Sequence, residues 1–422
     1  MKVLLLGSGG REHALAEKLV QSSLCTQLFV APGNPGTRSI ATNVPLDILN
    51  ADELALFIRE NQIALVLVGP EQALVEGMYE QLQERSALDG CIYFGPGKVG
   101  AQLEGSKDFA KQFMQRHSIP TAKYKTFQAN QLEEAKSYLE ATAGPYVLKA
   151  DGLAAGKGVI ITESRQEAIR EIEELLGGKF GAASTTVVIE EFLSGIEFSV
   201  FVATNGKDYA ILPEAKDYKR IGEGDTGLNT GGMGSISPVP FLNESLRQKV
   251  LIEVVEPTLK GLQLEGIEYT GFLFLGLILV EGEVFVIEYN VRMGDPETQS
   301  VMSRIDSDFL ELLVALGKGE KLPELRIKEE SAATVVLVSE GYPGSYPKGR
   351  AISGLEGIER AHIYHAGTTE EEGQLRTSGG RVIAVTALGK SASEALTFAN
   401  EAAGRVQFEG KYFRKDIGKD LL

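Results

Sequence analysis

The sequence predicts a multidomain protein that combines α/β and α+β architecture and begins with a parallel α/β sheet domain. Its 422 residues are enough for two to four domains at about 150 residues each. In the first hundred residues, apolar runs without polar alternation are separated by helical patterns, which indicates a parallel sheet with helices on both faces. A charged stretch at 318–330 precedes a segment with its own strand and helix patterns. We therefore predict domains at 1–103, 104–325 and 326–422.

Each apolar run of the first domain ends in a turn rich in glycine or proline. The predicted strands are 3–6, 28–30, 65–68 and 92–94, and the turns that follow them are GSGG, APGNPG, GPE and GPG. Helices are predicted between them, at 11–21 and 71–85. In a parallel sheet, ligands bind beyond the carboxyl ends of the strands, so these turns are the predicted binding loops.

The middle and last domains show a more mixed pattern. Strands are predicted at 146–149, 158–162, 186–191 and 198–203, a helix at 243–260, a hairpin of 271–280 and 283–290, and helical structure at 297–316. The stretch 213–238 is predicted to be a long polar loop. In the last domain, strands are predicted near 333–338 and 381–386, and a helix at 391–403.

Composition and charge limit the classes of partner. The chain has 42 Lys and Arg against 58 Asp and Glu, a net charge of −16, without a long basic run, so we expect no nucleic-acid partner. The longest apolar stretch, 272–280, is about half of what a bilayer crossing needs, and no signal peptide is evident after Met1, so we expect no membrane association. Two cysteines, Cys25 and Cys91, are too few for a disulfide framework and fit a reducing cytoplasm.

Two glycine-rich turns are candidates for phosphate binding. GSGGREHAL leads from a strand into a helix, whose N-terminal N–H groups suit an anion. Because Glu12 stands where a dinucleotide fingerprint has its third glycine, phosphate binding and a plain tight turn are equally open. ADGLAAGKGV, at 150–159, is one residue short of a P-loop and has Gly158 in place of Ser or Thr. We favour a mobile flap that follows Lys149 and covers polyphosphate over a flexible hairpin with solvated lysines.

The segment VFVIEYNVR carries the strongest chemical signal. Alternation places Glu288, Asn290 and Arg292 on one face, and the apolar face predicted to meet the core consists of Ile287, Tyr289 and Val291. A carboxylate and an amide oxygen two residues apart suit magnesium on nucleotide phosphates, and the arginine can hold an anion. A solvated polar face would give the same alternation, but the continuation GDPETQ, in which Asp295 and Glu297 open a helix, favours a site.

Two other segments are weaker candidates. EEFLSGIEF, at 190–198, offers backbone polar groups and an apolar wall to a purine, although a plain strand and turn fits equally. KDYKR followed by GDTGLNTGGMG places mixed charge beside many glycines, which favours a site over a disordered excursion. His362 and His365 have no third ligand nearby and are expected to be structural. The sequence contains no GxSxG, protein-kinase catalytic loop or zinc-spaced cysteine cluster.

Taken in order, these motifs resemble the ATP-grasp ligases, and among them the phosphoribosylamine–glycine ligase (glycinamide ribonucleotide synthetase) family. The resemblance extends over essentially the whole chain, through GSGGREHAL, APGNPGT, GPE, EGSKDFAK, VLKADGLAAGKGV, EEFLSGIEFS, GDTGLNTGGMG, NVRMGDPETQ, HAGT and GGRV. It implies an N-terminal substrate-binding domain, a central ATP-grasp fold with a mobile lid at about 123–192, and a small C-terminal α/β domain. It also implies that ATP, glycine and 5-phosphoribosylamine give glycinamide ribonucleotide, ADP and phosphate through a glycyl phosphate, in purine biosynthesis.

The resemblance also implies roles for individual residues by matching position. The ATP-binding residues would be Lys107, Lys149, Gly156, Glu190, Phe192, Leu193 and Glu197. The catalytic residues around glycine and the acyl phosphate would be Arg292, Asp217 and Asp295. The phosphoribosylamine pocket would be lined by Gly9, Gly10, Arg11, Glu12, Asn34 and Glu71. The ligands of Mg²⁺, which Mn²⁺ could replace, would be Glu288 and Asn290.

The chain departs from the family pattern at two positions. Tyr218 stands where the family commonly has histidine, which leaves a proton-transfer role there open, and Leu228 stands where it often has proline. The strand 272–280 has no acidic side chain to bind a metal, which matches the glycine-ligase branch better than the carboxylase branch. The alternatives are an ATP-grasp carboxylase, another amino-acid ligase and a non-catalytic nucleotide-binding protein. We expect a monomer or a weak dimer.

Overall fold

The computed structural model of the chain describes residues 1–153, 158–181 and 185–422. It confirms the mixed α/β and α+β class, with an N-terminal parallel sheet, a small antiparallel sheet and a long antiparallel sheet. Within the described ranges, no helix is both long enough and apolar enough to cross a membrane.

The N-terminal domain is built around a parallel sheet. Its strands are β1 (Lys2–Gly7), β2 (Gln27–Pro32), β3 (Thr42–Asn43), β4 (Leu65–Val68) and β5 (Ile92–Phe94), in the order β3-β2-β1-β4-β5. Its helices are α1 (Gly10–Val20), α2 (Ala51–Asn61), α3 (Glu71–Val75), α4 (Met78–Glu84) and α5 (Lys98–Gly105). Leu4 and Leu6 of β1 pack into one core cluster, and Val3 and Leu5 pack into another. Both faces of the sheet are therefore buried, which explains why the strands lack polar alternation.

The N-terminal turns lie along one edge of this sheet, as predicted, because β1 runs parallel to both β2 and β4. The single helix predicted at 71–85 is wrong, since α3 ends at Val75 and α4 begins at Met78. Gly77 between them has a φ of 79°, in the left-handed region that glycine adopts without steric cost.

A small antiparallel sheet follows in the chain. Its strands among the described residues are β6 (Tyr124–Gln128), β7 (Tyr146–Ala150), β8 (Val159–Thr162) and β9 (Thr186–Glu191), in the order β6-β9-β7-β8. The helices of this region are α6 (Lys107–Arg116), α7 (Leu132–Ala141) and α8 (Arg165–Leu176). Phe127, Leu148 and Ile172 belong to its core. The predicted flap connects β7 to β8; its residues 154–157, including Gly156, lie outside the described residues.

The long antiparallel sheet joins the middle and last parts of the chain. Its strands are β10 (Ile196–Thr204), β11 (Tyr209–Asp217), β14 (Gly234–Ser237), β15 (Gly271–Val280), β16 (Glu283–Asn290), β17 (Ser331–Val338), β18 (His362–His365) and β21 (Arg381–Gly389). Two ribbons are formed by β12 (Arg220–Gly222) with β13 (Thr226–Asn229), and by β19 (Thr368–Glu371) with β20 (Gln374–Thr377). The strand order is β16-β15-β10-β11-β14-β17-β21-β18, so the sheet continues from the middle part into the last part through the β14–β17 pair.

The helices of this region pack on that sheet and connect its strands. They are α9 (Glu244–Val250), a π-helical turn (Leu251–Val255), α10 (Glu256–Leu264), α11 (Glu297–Arg304), α12 (Phe309–Lys318) and α13 (Ala392–Arg405). The helical segment predicted at 297–316 is divided, because Asp308 caps α12 by accepting a hydrogen bond from the N–H of Glu311 at 3.0 Å. The predicted hairpin, β15 and β16, is present with its turn at Glu281-Gly282. The short strands β18, β19 and β20 had not been predicted.

The prediction of a long polar loop at 213–238 is wrong, because this stretch contains the end of β11 and all of β12, β13 and β14. Ser235 and Ser237 of β14 are completely buried. Their hydroxyls donate hydrogen bonds to the carbonyl oxygens of Pro296 at 3.0 Å and Glu214 at 2.6 Å. Polar side chains that are buried and satisfied in this way give a core strand the composition of a loop.

Candidate active site

The strand that carries the predicted metal ligands, β16, contains a β-bulge. Consecutive residues of β15 pair with Val286 and with Glu288, which leaves Ile287 as the extra residue. The prediction that Ile287 faces the core is wrong, because the bulge changes the phase of the alternation. Val286 before it and Tyr289 after it are buried in the same core cluster, whereas Ile287 is only half-buried. The carbonyl oxygen of Ile287 instead accepts a hydrogen bond from Lys149 Nζ at 3.2 Å.

Glu288, next to the bulge, is surrounded by cationic side chains. Its Oε1 lies 3.8 Å from Lys219 Nζ. Burial would raise the pKa of Glu288, but the surrounding cations hold it below its ordinary value; they are Lys219, Lys149, Lys107 and Arg292. The carboxylate is therefore ionised and available as a hard oxygen ligand.

Lys149, at the end of β7, contacts a buried carboxylate. Its Nζ lies 2.9 Å from Oε1 of Glu190, and Lys111 Nζ lies 3.0 Å from Oε2 of the same residue. None of the three side chains is more than 6% exposed. Burial lowers the pKa of Lys111 to about 8, although Glu190 opposes the shift. Lys111 had not been predicted, but it follows Lys107 by one turn of α6, and that spacing was an available signal.

The start of α6 is tied to the beginning of the predicted flap through Asp151. The carboxylate of Asp151 accepts hydrogen bonds from Ser106 Oγ at 3.0 Å and from the N–H of Asp108 at 2.8 Å. Lys107 Nζ donates to the carbonyl oxygen of Gly152 at 3.3 Å. Burial lowers the pKa of Lys107. The two predicted phosphate lysines, Lys107 and Lys149, therefore both lie near the beginning of the flap.

The residues between β9 and β10 present apolar surface to solvent. Phe192 is 41% exposed, Ile196 is 46% exposed and Leu193 is half-buried. Glu197 is exposed, and its Oε2 accepts a hydrogen bond from Lys219 Nζ at 3.2 Å. That this exposed apolar surface receives a purine nucleoside stays a prediction.

A cluster of carboxylates surrounds Lys219 next to Glu288. Burial raises the pKa of Asp217, and Glu197 adds to the effect although Lys219 opposes it. Asp217 in turn holds the pKa of Lys219 well above its ordinary value. Burial, followed by the charge of Asp217, raises the pKa of Glu297 to about 8. The cluster carries more acidic than basic groups, so it favours a cationic ligand group.

Arg292 connects β16 to the N-terminal domain. Its Nη2 lies 2.8 Å from Oε1 of Glu104 and 3.1 Å from Oδ1 of Asn290, and its Nε lies 3.4 Å from Oε2 of Glu71. Burial would lower the pKa of Arg292, but Glu104 and Glu71 raise it above its ordinary value. Glu104 also accepts a hydrogen bond from the N–H of Val291 at 2.8 Å. Glu104 was missed as a site residue, although it opens the EGSK motif.

The N-terminal glycine turn closes on Glu12. Glu12 accepts hydrogen bonds from the N–H of Gly9 and from Arg11 Nε, each at 2.6 Å. Arg11 Nη1 also donates to the carbonyl oxygen of Met293 at 3.2 Å. A Cβ atom at Gly10 would lie 2.7 Å from Gln299 Nε2, so a side chain there would displace the amide of Gln299. The turn therefore faces the segment that follows β16.

Asn34 shapes the loop after β2 with its side chain. Its Nδ2 donates to the carbonyl oxygens of Ser8 at 2.9 Å and His365 at 2.8 Å. Its Oδ1 accepts from the N–H groups of Gly36 at 2.9 Å and Thr37 at 3.0 Å. Asn34 therefore acts as a brace between the N-terminal and C-terminal parts of the chain at the predicted substrate pocket.

Asp295 lies close to the N-terminal glycine turn that contains Gly9 and Gly10. Its Oδ1 accepts a hydrogen bond from Gln299 Nε2 at 2.7 Å, and its Oδ2 from Arg381 Nη2 at 2.8 Å. Tyr218, by contrast, points away from the site into the C-terminal core, where its hydroxyl donates to Oδ1 of Asp420 at 2.6 Å. This orientation removes the side chain of Tyr218 from any proton transfer at Glu288.

The predicted metal ligands form a partial donor set. Among residues 1–153, 158–181 and 185–422, no group of three or more His, Cys, Asp or Glu could hold a metal ion. Glu288 and Asn290 supply a carboxylate and an amide oxygen. Magnesium is usually held by one or two carboxylates together with substrate phosphates, so these residues fit the metal in the presence of a nucleotide.

The structure thus brings Lys149 and Lys219 to the carboxyl end of β16, where Glu288 lies. The segment that follows β16 contacts the N-terminal domain through the Arg292–Glu71 pair and the hydrogen bond from Arg11 to Met293. The fold and this arrangement define a protein of the ATP-grasp class. Family models of phosphoribosylglycinamide synthetase match in the same order, with the N domain at residues 1–104, the ATP-grasp (A) domain at 105–298 and the C domain at 332–420. The chain belongs to the phosphoribosylglycinamide synthetase family.

Individual relatives agree with this assignment. The chain is 45% identical to the phosphoribosylamine–glycine ligase of Agrobacterium fabrum, over 99% of this chain and 98% of the relative. It is 46% identical to that of Haemophilus influenzae, with the same coverage of both. The crystal structure of the Thermotoga maritima phosphoribosylamine–glycine ligase superposes with a TM-score of 0.87 at 38% identity, over 99% of this chain and 100% of that one.

A more distant structure shares the fold alone. The biotin carboxylase domain of the Hydrogenobacter thermophilus 2-oxoglutarate carboxylase, solved with MgADP and bicarbonate, superposes with a TM-score of 0.74 at 18% identity, over 99% of this chain and 92% of that one.

Proposed function

We propose that the chain is an ATP-dependent ligase that joins glycine to 5-phosphoribosylamine and gives glycinamide ribonucleotide, ADP and phosphate, a reaction of purine biosynthesis. The observation that carries the proposal is the group of cations at Glu288: Lys219 Nζ lies 3.8 Å from its Oε1, and Lys149 Nζ donates to the carbonyl oxygen of the adjacent residue at 3.2 Å. Such a group neutralises a transferring phosphoryl unit, and Arg292 links it to the predicted phosphoribosylamine pocket through Glu71.

The nucleotide side of the site is assigned to the lid and β16. Lys107 and Lys149 would bind the ATP phosphates, Phe192 and Leu193 would contact the adenine, and Glu197 would accept hydrogen bonds from the ribose. Glu190 would position Lys149 through their ion pair. Closure of the flap over ATP would exclude water, which matters because an acyl phosphate hydrolyses when exposed.

Glu288 and Asn290 would hold Mg²⁺, with Mn²⁺ as a possible substitute. The metal would neutralise charge on the nucleotide phosphates during transfer. Since these two residues are an incomplete ligand set, we propose that metal affinity depends on the presence of ATP.

Two bond exchanges make up the reaction. A carboxylate oxygen of glycine attacks the γ-phosphorus of ATP, and the bond to the ADP oxygen breaks. The amine of phosphoribosylamine then attacks the acyl carbon, loses a proton and releases phosphate as the carbon–oxygen bond breaks. No protein nucleophile is needed, so catalysis consists of positioning and electrostatic stabilisation.

The side of the site that binds glycine and phosphoribosylamine, here called the acceptor side, is assigned to the N-terminal turns and the carboxylate cluster. The excess of acidic groups around Asp217 would bind the ammonium group of glycine. Arg292 would stabilise the acyl phosphate, and Asp295 would lie beside glycine and the acyl phosphate. The phosphoribosylamine pocket would be formed by Gly9, Gly10, Arg11, Glu12, Asn34 and Glu71. We also propose that the enzyme works in the cytoplasm as a monomer or weak dimer, without a nucleic-acid or membrane partner.

The decisive experiment uses glycine labelled with heavy oxygen in its carboxylate, together with ATP, magnesium and enzymatically generated phosphoribosylamine. Mass spectrometry should find glycinamide ribonucleotide and one labelled oxygen in each phosphate released, because one carboxylate oxygen leaves with the phosphoryl group. Unlabelled phosphate would refute the glycyl phosphate route. ADP release that required bicarbonate and ignored glycine would identify an ATP-grasp carboxylase instead.

A further inference from the structure

The C-terminal domain places one side chain at the candidate active site. Arg381 is the first residue of β21, and its guanidinium extends to two loops of the middle domain. Its Nη1 donates hydrogen bonds to the carbonyl oxygens of Gly231 at 2.6 Å and Asp295 at 2.5 Å. Its Nη2 lies 2.8 Å from Oδ2 of Asp295. One planar, charged group therefore fixes both loops and the direction of the Asp295 carboxylate.

The loop at Gly231 is shaped to receive this guanidinium. A Cβ atom at Gly231 would lie 2.9 Å from Cζ of Arg381, so a side chain at this position would displace the guanidinium. The hydroxyl of Tyr342, which also belongs to the C-terminal domain, accepts a hydrogen bond from the N–H of Gly231 at 2.9 Å. The C-terminal domain thus holds both the N–H and the carbonyl of one residue.

Asp295 connects Arg381 to the N-terminal domain. Cβ atoms built at Gly9 and Gly10 would lie 3.8 Å and 3.7 Å from its carboxylate oxygens. By contrast, the nearest partners of Lys107 and Lys149 come from the lid and from β16. Arg381 is therefore connected to the acceptor side of the site and is separate from the elements that hold the nucleotide lysines.

We propose that Arg381 is a positioning residue for the acceptor half of the reaction, and that it acts through Asp295 and Gly231. The inference rests on the proposed function. Without the Arg381 side chain, the carboxylate of Asp295 loses its charged partner and the carbonyl of Gly231 loses a hydrogen bond. The use of glycine and phosphoribosylamine, the two substrates on the acceptor side, falls, while the binding of ATP is retained.

The test is steady-state kinetics on the full-length Arg381→Ala variant with each substrate varied in turn. Because a displacement of about 1 Å can cost about a hundredfold in rate, we expect kcat/KM for glycine to fall by about 30- to 100-fold. The KM for ATP should stay within about twofold of the wild-type value. Millimolar guanidinium should restore part of the lost activity. Arg381→Lys should be intermediate, since one ammonium cannot replace a fork of donors.

The matched control is Arg405→Ala. Arg405 is an exposed arginine of the same domain that donates to the backbone carbonyls of Gly357 at 2.7 Å and Glu356 at 2.7 Å, and its loss should leave the kinetics unchanged.

The inference is overturned if Arg381→Ala keeps kcat/KM for glycine within about threefold, or if all substrates are affected equally and guanidinium has no effect. If Arg381→Ala does not fold, the same comparison of glycine with ATP is made on Arg381→Lys. A wild-type protein that does not use glycine refutes the proposed function itself, so the two failures are distinct.

Discussion

Replacement of Glu288 with glutamine separates the chemistry of the site from the stability of the fold. The substitution keeps the shape of the side chain and removes its charge. The Glu288 side chain is 37% exposed, and Lys219 Nζ lies 3.8 Å from its Oε1. A partly exposed pair at this distance contributes at most about 1 kcal/mol, so the free energy of unfolding should change by no more than that.

The effect on turnover should be much larger. Of the two proposed metal ligands, Glu288 supplies the only full negative charge, since Asn290 is neutral. Loss of that charge from a phosphoryl-transfer site costs several kcal/mol of transition-state stabilisation. At about 1.4 kcal/mol per tenfold, a loss of about 4 kcal/mol lowers kcat by about a thousandfold.

The assay measures ADP release with glycine and phosphoribosylamine across a magnesium titration, together with thermal unfolding of the same samples. The matched control is Glu281→Gln, an exposed acid at the turn of the same hairpin, which should behave as wild type. If Glu288→Gln keeps kcat within about tenfold at saturating magnesium, β16 does not hold the metal and the reasoning is refuted.

Three further predictions concern stability and its pH dependence. Lys111→Met removes one of the two cations beside the buried carboxylate of Glu190 and should lower the free energy of unfolding by about 3 kcal/mol in urea titrations; an unchanged midpoint would contradict this. Glu297 has its pKa raised from 4.5 to about 8, so the folded protein keeps a proton that the unfolded chain loses, and stability from this group falls as the pH rises between these values. Glu297→Gln removes that slope, so its stability relative to wild type should increase from about pH 5 to about pH 9, and a constant difference would exclude the shift. Tyr218→Phe should cost about 1–2 kcal/mol through the lost hydrogen bond to Asp420, and a simultaneous fall in kcat/KM beyond about twofold would show that Tyr218 has a role in the reaction.

The predictions from sequence succeeded where local patterning decides the structure. The strands of the N-terminal sheet were recognised because burial on both faces leaves an uninterrupted apolar run, as in 3–6. The hairpin of β15 and β16 was recognised from its turn at Glu281-Gly282. The polar set of Glu288, Asn290 and Arg292 was recognised from its spacing, and the structure places the Arg292 guanidinium 3.1 Å from Oδ1 of Asn290.

The errors have physical causes that composition does not reveal. One extra residue, Ile287, changes the phase of β16 without altering the kinds of residue in the strand. Ser235 and Ser237 look like loop residues, but their hydroxyls find backbone acceptors in the core. The pattern of residue types in one sequence reveals neither the bulge in β16 nor the distant backbone acceptors that stabilise the buried serines of β14.

Two pairings at the site that were not predicted join residues that are distant in sequence. Glu104 and Arg292 are 188 positions apart, and Arg381 and Asp295 are 86 apart. Spacing within a motif carries no information about such pairs. Lys111 is the exception, because its position on the same face of α6 as Lys107 could have been read from the sequence.

The segment that follows β16 explains why three domains are needed for one reaction. Within 291–296, Arg292 contacts Glu71 and the carbonyl of Met293 accepts from Arg11, both of the N-terminal domain. Two residues further on, Asp295 contacts Arg381 of the C-terminal domain. A reactive acyl phosphate must form beside its acceptor and away from water. A short segment that is fixed from both sides brings the proposed phosphoryl-transfer residues of the middle domain next to the proposed acceptor pocket, and neither neighbouring domain alone could hold both ends of it in place.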